Sequence, residues 1–212
     1  MTAIQNIFTQ AWQISAVKEY GEKDTPVFYG NTFKIITLLM SLACSILILL
    51  TRPLAKILYA NDFYNAWKFV PFLLVSTLFN CSSGLLGPIL SAKKDSKAMM
   101  WSAVIGAGAN IVLNILLVAI VGIQGATIAT AICSFIIYYI RRRAVGDDIK
   151  ISNVQNIFIT WILVCIESIV EVCTGLWMVE CGLIVVIIAI NHKTILKIFN
   201  SIEAMIHNLV RS

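Results

Sequence analysis

Glu167 and Glu171 stand four residues apart inside an otherwise apolar run, 156–176. In a helix that spacing puts both carboxyls on one face. Counted at ~1.5 Å per residue from position 156, Glu167 falls roughly 17 Å and Glu171 roughly 22 Å along the helix. A charge near the centre of a bilayer costs at least ~2.5–3.5 kcal/mol. The pair must therefore face a polar groove or an interface, or Glu167 must carry a proton, and proton coupling is the chemistry it offers. A second set opens the chain. Gln5, Thr9 and Gln13 recur in steps of four, Asn6 and Gln10 flank them, and Lys18 ends the run. Lipid offers such a stripe no partner, so it must face protein or a watery cavity. It can line such a cavity with hydrogen-bonding groups, or hold helices together at about 0.6 kcal/mol per contact. Gln5, Thr9, Gln13 and Lys18 are thus candidates for a substrate pathway, and Glu167 and Glu171 for coupling. There is no nucleophile–base pair, P-loop, HExxH or acidic metal cluster, and both histidines, His192 and His207, lie near the C-terminus. No enzyme activity, metal or cofactor is expected.

These residues sit in a chain built for lipid. Of 212 residues, 59% are hydrophobic, mean hydropathy is +0.87, and the charged fraction is 13%, about half the ~25% of a soluble domain. A soluble fold of this size cannot hide so much apolar surface. The expected class is all-α, a polytopic membrane helical bundle of about seven transmembrane helices. The candidate spans are 3–18, 33–51, 68–91, 99–121, 124–140, 156–176 and 178–191. Pro71, Gly84, Gly87 and Pro88 predict a kink or break in the third. Asn80, Ser82 and Ser83 beside it suit either relief of freed carbonyls or the pathway. Gly122 and Gly125 predict a tight hairpin between the fourth and fifth spans. Segment 52–67 reads as an interfacial helix or turn. Asn110 and Asn114 read as glue between the fourth and fifth spans, with Ala126, Thr127, Ala129 and Thr130 as the complementary small surface. The six cysteines read as small lipid- or helix-facing residues, although Cys173 and Cys181 flank a turn that a bridge could close.

The net charge of +5 comes from loops rather than from a nucleic-acid surface. Alternating connections and the tail hold 13 basic residues on one side: Lys18, Lys23 and Lys34; Lys93, Lys94 and Lys97; Arg141, Arg142, Arg143 and Lys150; Lys193, Lys197 and Arg211. The other side holds three, Arg52, Lys56 and Lys68. Basic loops mark the cytoplasm, so a cell (inner) membrane protein with a cytoplasmic C-terminus is expected. Seven spans then start outside, with an uncharged first segment that is no signal peptide. This predicts further spans upstream. After His192, Ile195, Phe199, Ile202, Ile206 and Leu209 mark an amphipathic helix on the inner leaflet or a partner site.

One order of motifs is distinctive: Phe8-Thr9-Gln10-Ala11-Trp12-Gln13, then Pro53-Leu54-Ala55-Lys56-Ile57-Leu58-Tyr59-Ala60, Asp62-Phe63-Tyr64-Asn65-Ala66-Trp67, Gly106-Ala107-Gly108-Ala109-Asn110-Ile111-Val112-Leu113-Asn114 and Gly122-Ile123-Gln124-Gly125-Ala126. It resembles the C-terminal half of bacterial polysaccharide (O-antigen or capsular repeat-unit) flippases, in the multidrug/oligosaccharidyl-lipid/polysaccharide exporter superfamily. The resemblance implies the second lobe of a 14-helix flippase. Residues 1–145 would be lobe-like, 146–191 two additional spans, and 192–212 a cytoplasmic amphipathic tail. It further implies transport of a lipid-linked oligosaccharide for polysaccharide biosynthesis by alternating access, with the first helix bordering the central cavity. Implied partners are that lipid-linked oligosaccharide, membrane lipids and an N-terminal lobe as a separate chain; nucleic acid is not among them. A multidrug or peptidoglycan-precursor exporter, or a non-transporting membrane scaffold, is the alternative.

Overall fold

The computed structural model describes the backbone of residues 2–58 and 61–211 and the side chains of 11–58, 64–200 and 203. Among the described residues there are helices and no strands. They are α1 (Thr2–Glu19), α2 (Thr25–Leu49), α3 (Thr51–Leu58), a 3₁₀ segment (Asn61–Phe69), α4 (Val70–Ala92), α5 (Ser96–Val121), α6 (Gln124–Val145), a short 3₁₀ turn (Gly146–Asp148), α7 (Val154–Cys173) and α8 (Trp177–Arg211). Among the described residues, five stretches are long and apolar enough to cross a bilayer: α2, Tyr64–Ala92, α5, α7 and Trp177–Asn200. The other two predicted spans form helices but fall short of that standard. In α6 only 16 residues separate Gln124 from the first of three arginines, and α1 carries Gln5, Asn6, Gln10 and Gln13. The second span begins earlier than its hydropathy suggests, because Pro26 sits in the first helical turn and starts α2 at Thr25.

The helices alternate in direction. The α1–α2, α4–α5 and α6–α7 connections meet at one end, which carries the basic loops. There the Lys150 N–H donates to the Pro26 carbonyl at 2.8 Å and Lys93 pairs with Asp148 at 2.8 Å. The hydrogen bond to Asp148 holds the Lys93 amine above its ordinary range. The α2–α3, α5–α6 and α7–α8 turns lie at the opposite end, where Gln124 Nε2 donates to the Lys68 carbonyl at 2.9 Å. Within segment 52–67, expected as an interfacial helix or turn, the described residues 52–58 and 61–67 are helical and cap this end.

α4 is the hub, packing on α1, α2, α5, α6 and α7. Its Leu78, Leu86, Ile89 and Leu90 are fully buried. Pro88 does not break it: the helix runs unbroken to Ala92. Asn80 Nδ2 donates to Ser134 Oγ at 3.0 Å, and Ser76 and Ser134 share a hydrogen bond of 2.9 Å. Both contacts tie α4 to α6. Phe79, Phe135, Tyr138 and Trp161 stack edge-on or tilted between α4, α6 and α7, with Tyr138 and Trp161 at 4.8 Å. α5 and the spanning part of α8 bury little of themselves, 6% and 11% of their most apolar windows, and so present the bundle's hydrocarbon to lipid. Nor does α8 pause near residue 191. The predicted span and tail form one helix, and Asn191 points inward to Thr160 Oγ1 at 2.8 Å.

The α5–α6 hairpin is set by small residues. Gly122 turns the chain at φ +70°. A Cβ on Gly125 would overlap the Leu117 carbonyl, and one on Gly106 would overlap Ile137. Asn114 Nδ2 bonds the Asn110 carbonyl oxygen within α5 at 2.8 Å, while Asn110 reaches the Cys133 thiol on α6. The cysteines are all free, those flanking the last turn included. Because the obstacle at Gly125 is backbone, even alanine must push the two helices apart. Gly125→Ala is expected to cost about 1–3 kcal/mol, read as a lower unfolding temperature of the detergent-solubilised chain.

Candidate functional site

The polar stripe of α1 sits on a true helix, so its steps of four do share a face. The helix docks on α4 through other residues. Trp12 is buried and donates its indole N–H to the Leu85 carbonyl at 3.0 Å. Ala16 is fully buried, and its carbonyl accepts from the Tyr29 hydroxyl. Gln13 and Lys18 are exposed, on the flank that no other described helix covers. The side chains of Gln5 and Thr9 lie outside the described residues.

Glu167 and Glu171 are drawn fully inside, to 0% and 3% exposure. Neither faces lipid. Ser45 of α2 donates its hydroxyl to Glu167. Arg52, from the first turn of α3, pairs with Glu171 at 3.2 Å and donates to that residue's carbonyl at 2.8 Å. The guanidinium also lies over the Trp67 ring, 4.4 Å from its centroid, an attraction of about 0.5–2 kcal/mol. It can come this close because of Gly175, whose φ is +61° and where a Cβ would collide with the guanidinium. A third carboxyl completes the group. Glu180, in the first turn of α8, is 1% exposed and its carboxyl contacts that of Glu171. Sequence reading passed over Ser45, Arg52 and Glu180. One signal was present: Glu171 and Glu180 lie at nearly equal distances either side of Gly175, so folding α8 back on α7 brings them level.

Further polar side chains follow the same seam toward the basic end. Thr37 and Ser41 of α2, Thr160 of α7 and Asn191 of α8 are all buried. With Lys34 they line a small cleft, where Lys34 Nζ reaches Ser152 Oγ at 3.4 Å. Among the arginines, Arg143 lies over Tyr139 and Arg142 caps its own helix end. Arg141 instead turns inward, donating to Ser102 Oγ at 3.1 Å and to the Ser83 carbonyl at 3.2 Å. It thus grips α4 beside Gly84, whose carbonyl Pro88 deprives of a partner.

A separate cavity of about 550 Å³ lies between α4, α6 and α7. Phe72, Phe79, Ile132, Phe135, Trp161 and Ile162 form much of its wall, and the rest is equally apolar. Its rim is half open, with Ile162 58% exposed.

A family model described as MatE matches residues 3–116, over half the chain. The chain belongs to the MatE family. MatE proteins are membrane exporters, transporters rather than enzymes. The match runs from α1 into α5 and leaves α6, α7 and α8 outside it. No curated protein and no solved structure matches the chain. The carboxyl cluster therefore straddles the MatE region: Ser45 and Arg52 fall inside the match, and the three glutamates fall beyond it.

Removing the Arg52 charge strands a buried carboxylate. Arg52→Gln is expected to cost about 1–3 kcal/mol, short of the ~3–5 of a wholly buried pair, since a third of the arginine reaches the surface. Adding Glu171→Gln should recover most of the loss. Thermal unfolding of the two variants in one detergent measures both effects.

Proposed function

We propose that this MatE chain serves to move a lipid-linked oligosaccharide repeat unit across the plasma membrane during polysaccharide biosynthesis. The basic end lies in the cytoplasm and attracts the anionic headgroup. The chain contributes one lobe, and an N-terminal lobe on a separate chain contributes the other. Transport proceeds by alternating access between the lobes.

The observation that carries this reading is the all-apolar cavity between α4, α6 and α7. At about 550 Å³ it has the size of a ligand pocket, ~300–1,000 Å³. It offers hydrocarbon and aromatic rings on every side and opens toward lipid. Such a slot suits an acyl or prenyl tail that stays in the bilayer while a polar head travels elsewhere. The head would move along the open flank of α1, past Gln5, Thr9 and Gln13, whose amides and hydroxyl are suited to sugars.

A cationic drug as cargo is the second reading. The buried glutamates favour it, since a drug cation could find its counter-charge there.

Two variants separate the readings. Chain in lipid nanodiscs should bind a fluorescent lipid-linked oligosaccharide. Ile132→Trp, which fills the cavity, should weaken that binding about tenfold, or ~1.4 kcal/mol. Gln5→Leu, Thr9→Leu and Gln13→Leu together should weaken binding of the oligosaccharide form and leave the bare lipid unaffected. Equal affinity for bare lipid and oligosaccharide in the unmodified chain, or tight binding of a cationic dye in place of both, overturns the oligosaccharide reading.

A further inference from the structure

Three carboxyls and one guanidinium share the space where α7 turns into α8. Glu167 Oε1 and Glu180 Oε1 are buried with no hydrogen-bond partner among the described residues, and both residues lie within electrostatic reach of Glu171. The groups facing them come from every neighbouring element. α2 brings Ser45 and the Cys44 thiol, which lies within electrostatic reach of Glu167. α3 brings Arg52, and the 3₁₀ segment brings the Trp67 ring. α4 brings Cys81, beside Cys44, and the Pro71 carbonyl, which accepts from Ser168. α7 brings Glu167 and Glu171, and α8 brings Glu180. Arg52 is the one cation among these groups.

Full ionisation would leave three negative charges against one positive, shut away from water. Hydrocarbon does not tolerate that excess. The contact between Glu171 and Glu180 points the same way. Two carboxylates side by side repel, whereas one proton between them turns the repulsion into a hydrogen bond. A metal ion fits less well. Arg52 already occupies Glu171, and the described acidic, thiol and imidazole groups do not assemble into a metal-binding set.

We infer that Glu167, Glu171, Glu180 and Arg52 form a proton-binding site holding two protons, one shared between Glu171 and Glu180 and one on Glu167. Arg52 balances the charge that remains. The bound protons fasten the start of α8 to α7 and α2. Losing them sets Glu180 against Glu171 and loosens the turn around Gly175. This site does not depend on which cargo the chain carries, and its test needs no transport.

Infrared difference spectroscopy of the full chain in nanodiscs, taken across pH steps, reads the carbonyl stretch of protonated carboxylic acids. The unmodified chain should show that band at neutral pH and lose it as the pH rises. Glu167→Gln and Glu180→Gln should each remove about half of it, and the double variant all of it. These amides are near-isosteres and keep the side-chain volume. Glu171→Gln provides a second route, because it takes away the shared proton while leaving Glu167 in place. Glu203→Gln, on the exposed far part of α8, should leave the band intact. Absence of the band at neutral pH, or its survival in the Glu167/Glu180 double variant, overturns the proposal. So does loss of the band on adding sodium at constant pH, which would make a metal cation the occupant.

Discussion

Inside a bilayer a polar group has no water to fall back on, and the fold is arranged around that constraint. Every charge that enters the hydrocarbon must bring its partner from another helix. Glu171 takes Arg52 from the far side of the α2–α3 turn, Glu167 takes Ser45, and Arg141 takes Ser102 and a backbone carbonyl of α4. None of these pairs is local in sequence. Each crosses from one helix to another and so fixes a neighbour, which apolar contact among equally greasy surfaces does weakly.

The same constraint explains which helices are central and which are bare. α4 contains two prolines, two glycines and a row of serines and Asn80 that would be costly against lipid. It is surrounded on nearly all sides, and its polar groups meet Ser134 and Arg141 on α6. Past its first turn α5 is smooth hydrocarbon apart from Ser102 and two asparagines; Ser102 accepts from Arg141 of α6, and the asparagines turn toward one another and toward α6. It needs only one partner, and glycines let that partner come close. The division between buried and bare helices thus follows how much polar material each must hide.

Much of the frame was legible from hydropathy and turns. Apolar runs long enough to span and a charge-free Gly122–Gly125 hairpin each report a local property, and the helices stand where those signals put them. Other features depend on meetings that no local pattern encodes. Glu167 and Glu171 declared themselves by their depth, but the basic residue that answers them did not. Arg52 looked like an ordinary loop cation, since only the folded α7–α8 turn shows that Gly175 leaves room for it. Glu180 enters the group only because α8 folds back along α7. The sequence also suggested a division between span and tail at residue 192, yet helix formation has no reason to stop at Asn191. That side chain bonds inward to Thr160, and the residues after it remain good helix formers.

The distribution of charge between the two ends gives the bundle a polarity that its covalent chain alone does not. At the basic end, lysines and arginines outnumber the acids they meet, and their amines and guanidiniums reach backbone carbonyls and hydroxyls more often than carboxylates. At the α7–α8 end the balance reverses, with three carboxyls sealed behind one guanidinium. Between them runs a buried line of hydroxyl and amide groups, Thr37, Ser41, Ser45, Thr160 and Asn191, along the seam of α2, α7 and α8. Thr37, Ser41 and Ser45 recur every four residues on one face of α2, and each donor there needs an acceptor inside the bundle. Ser41 finds one in the Thr37 carbonyl of its own helix, whereas Ser45 reaches across to Glu167 and so ties α2 to α7.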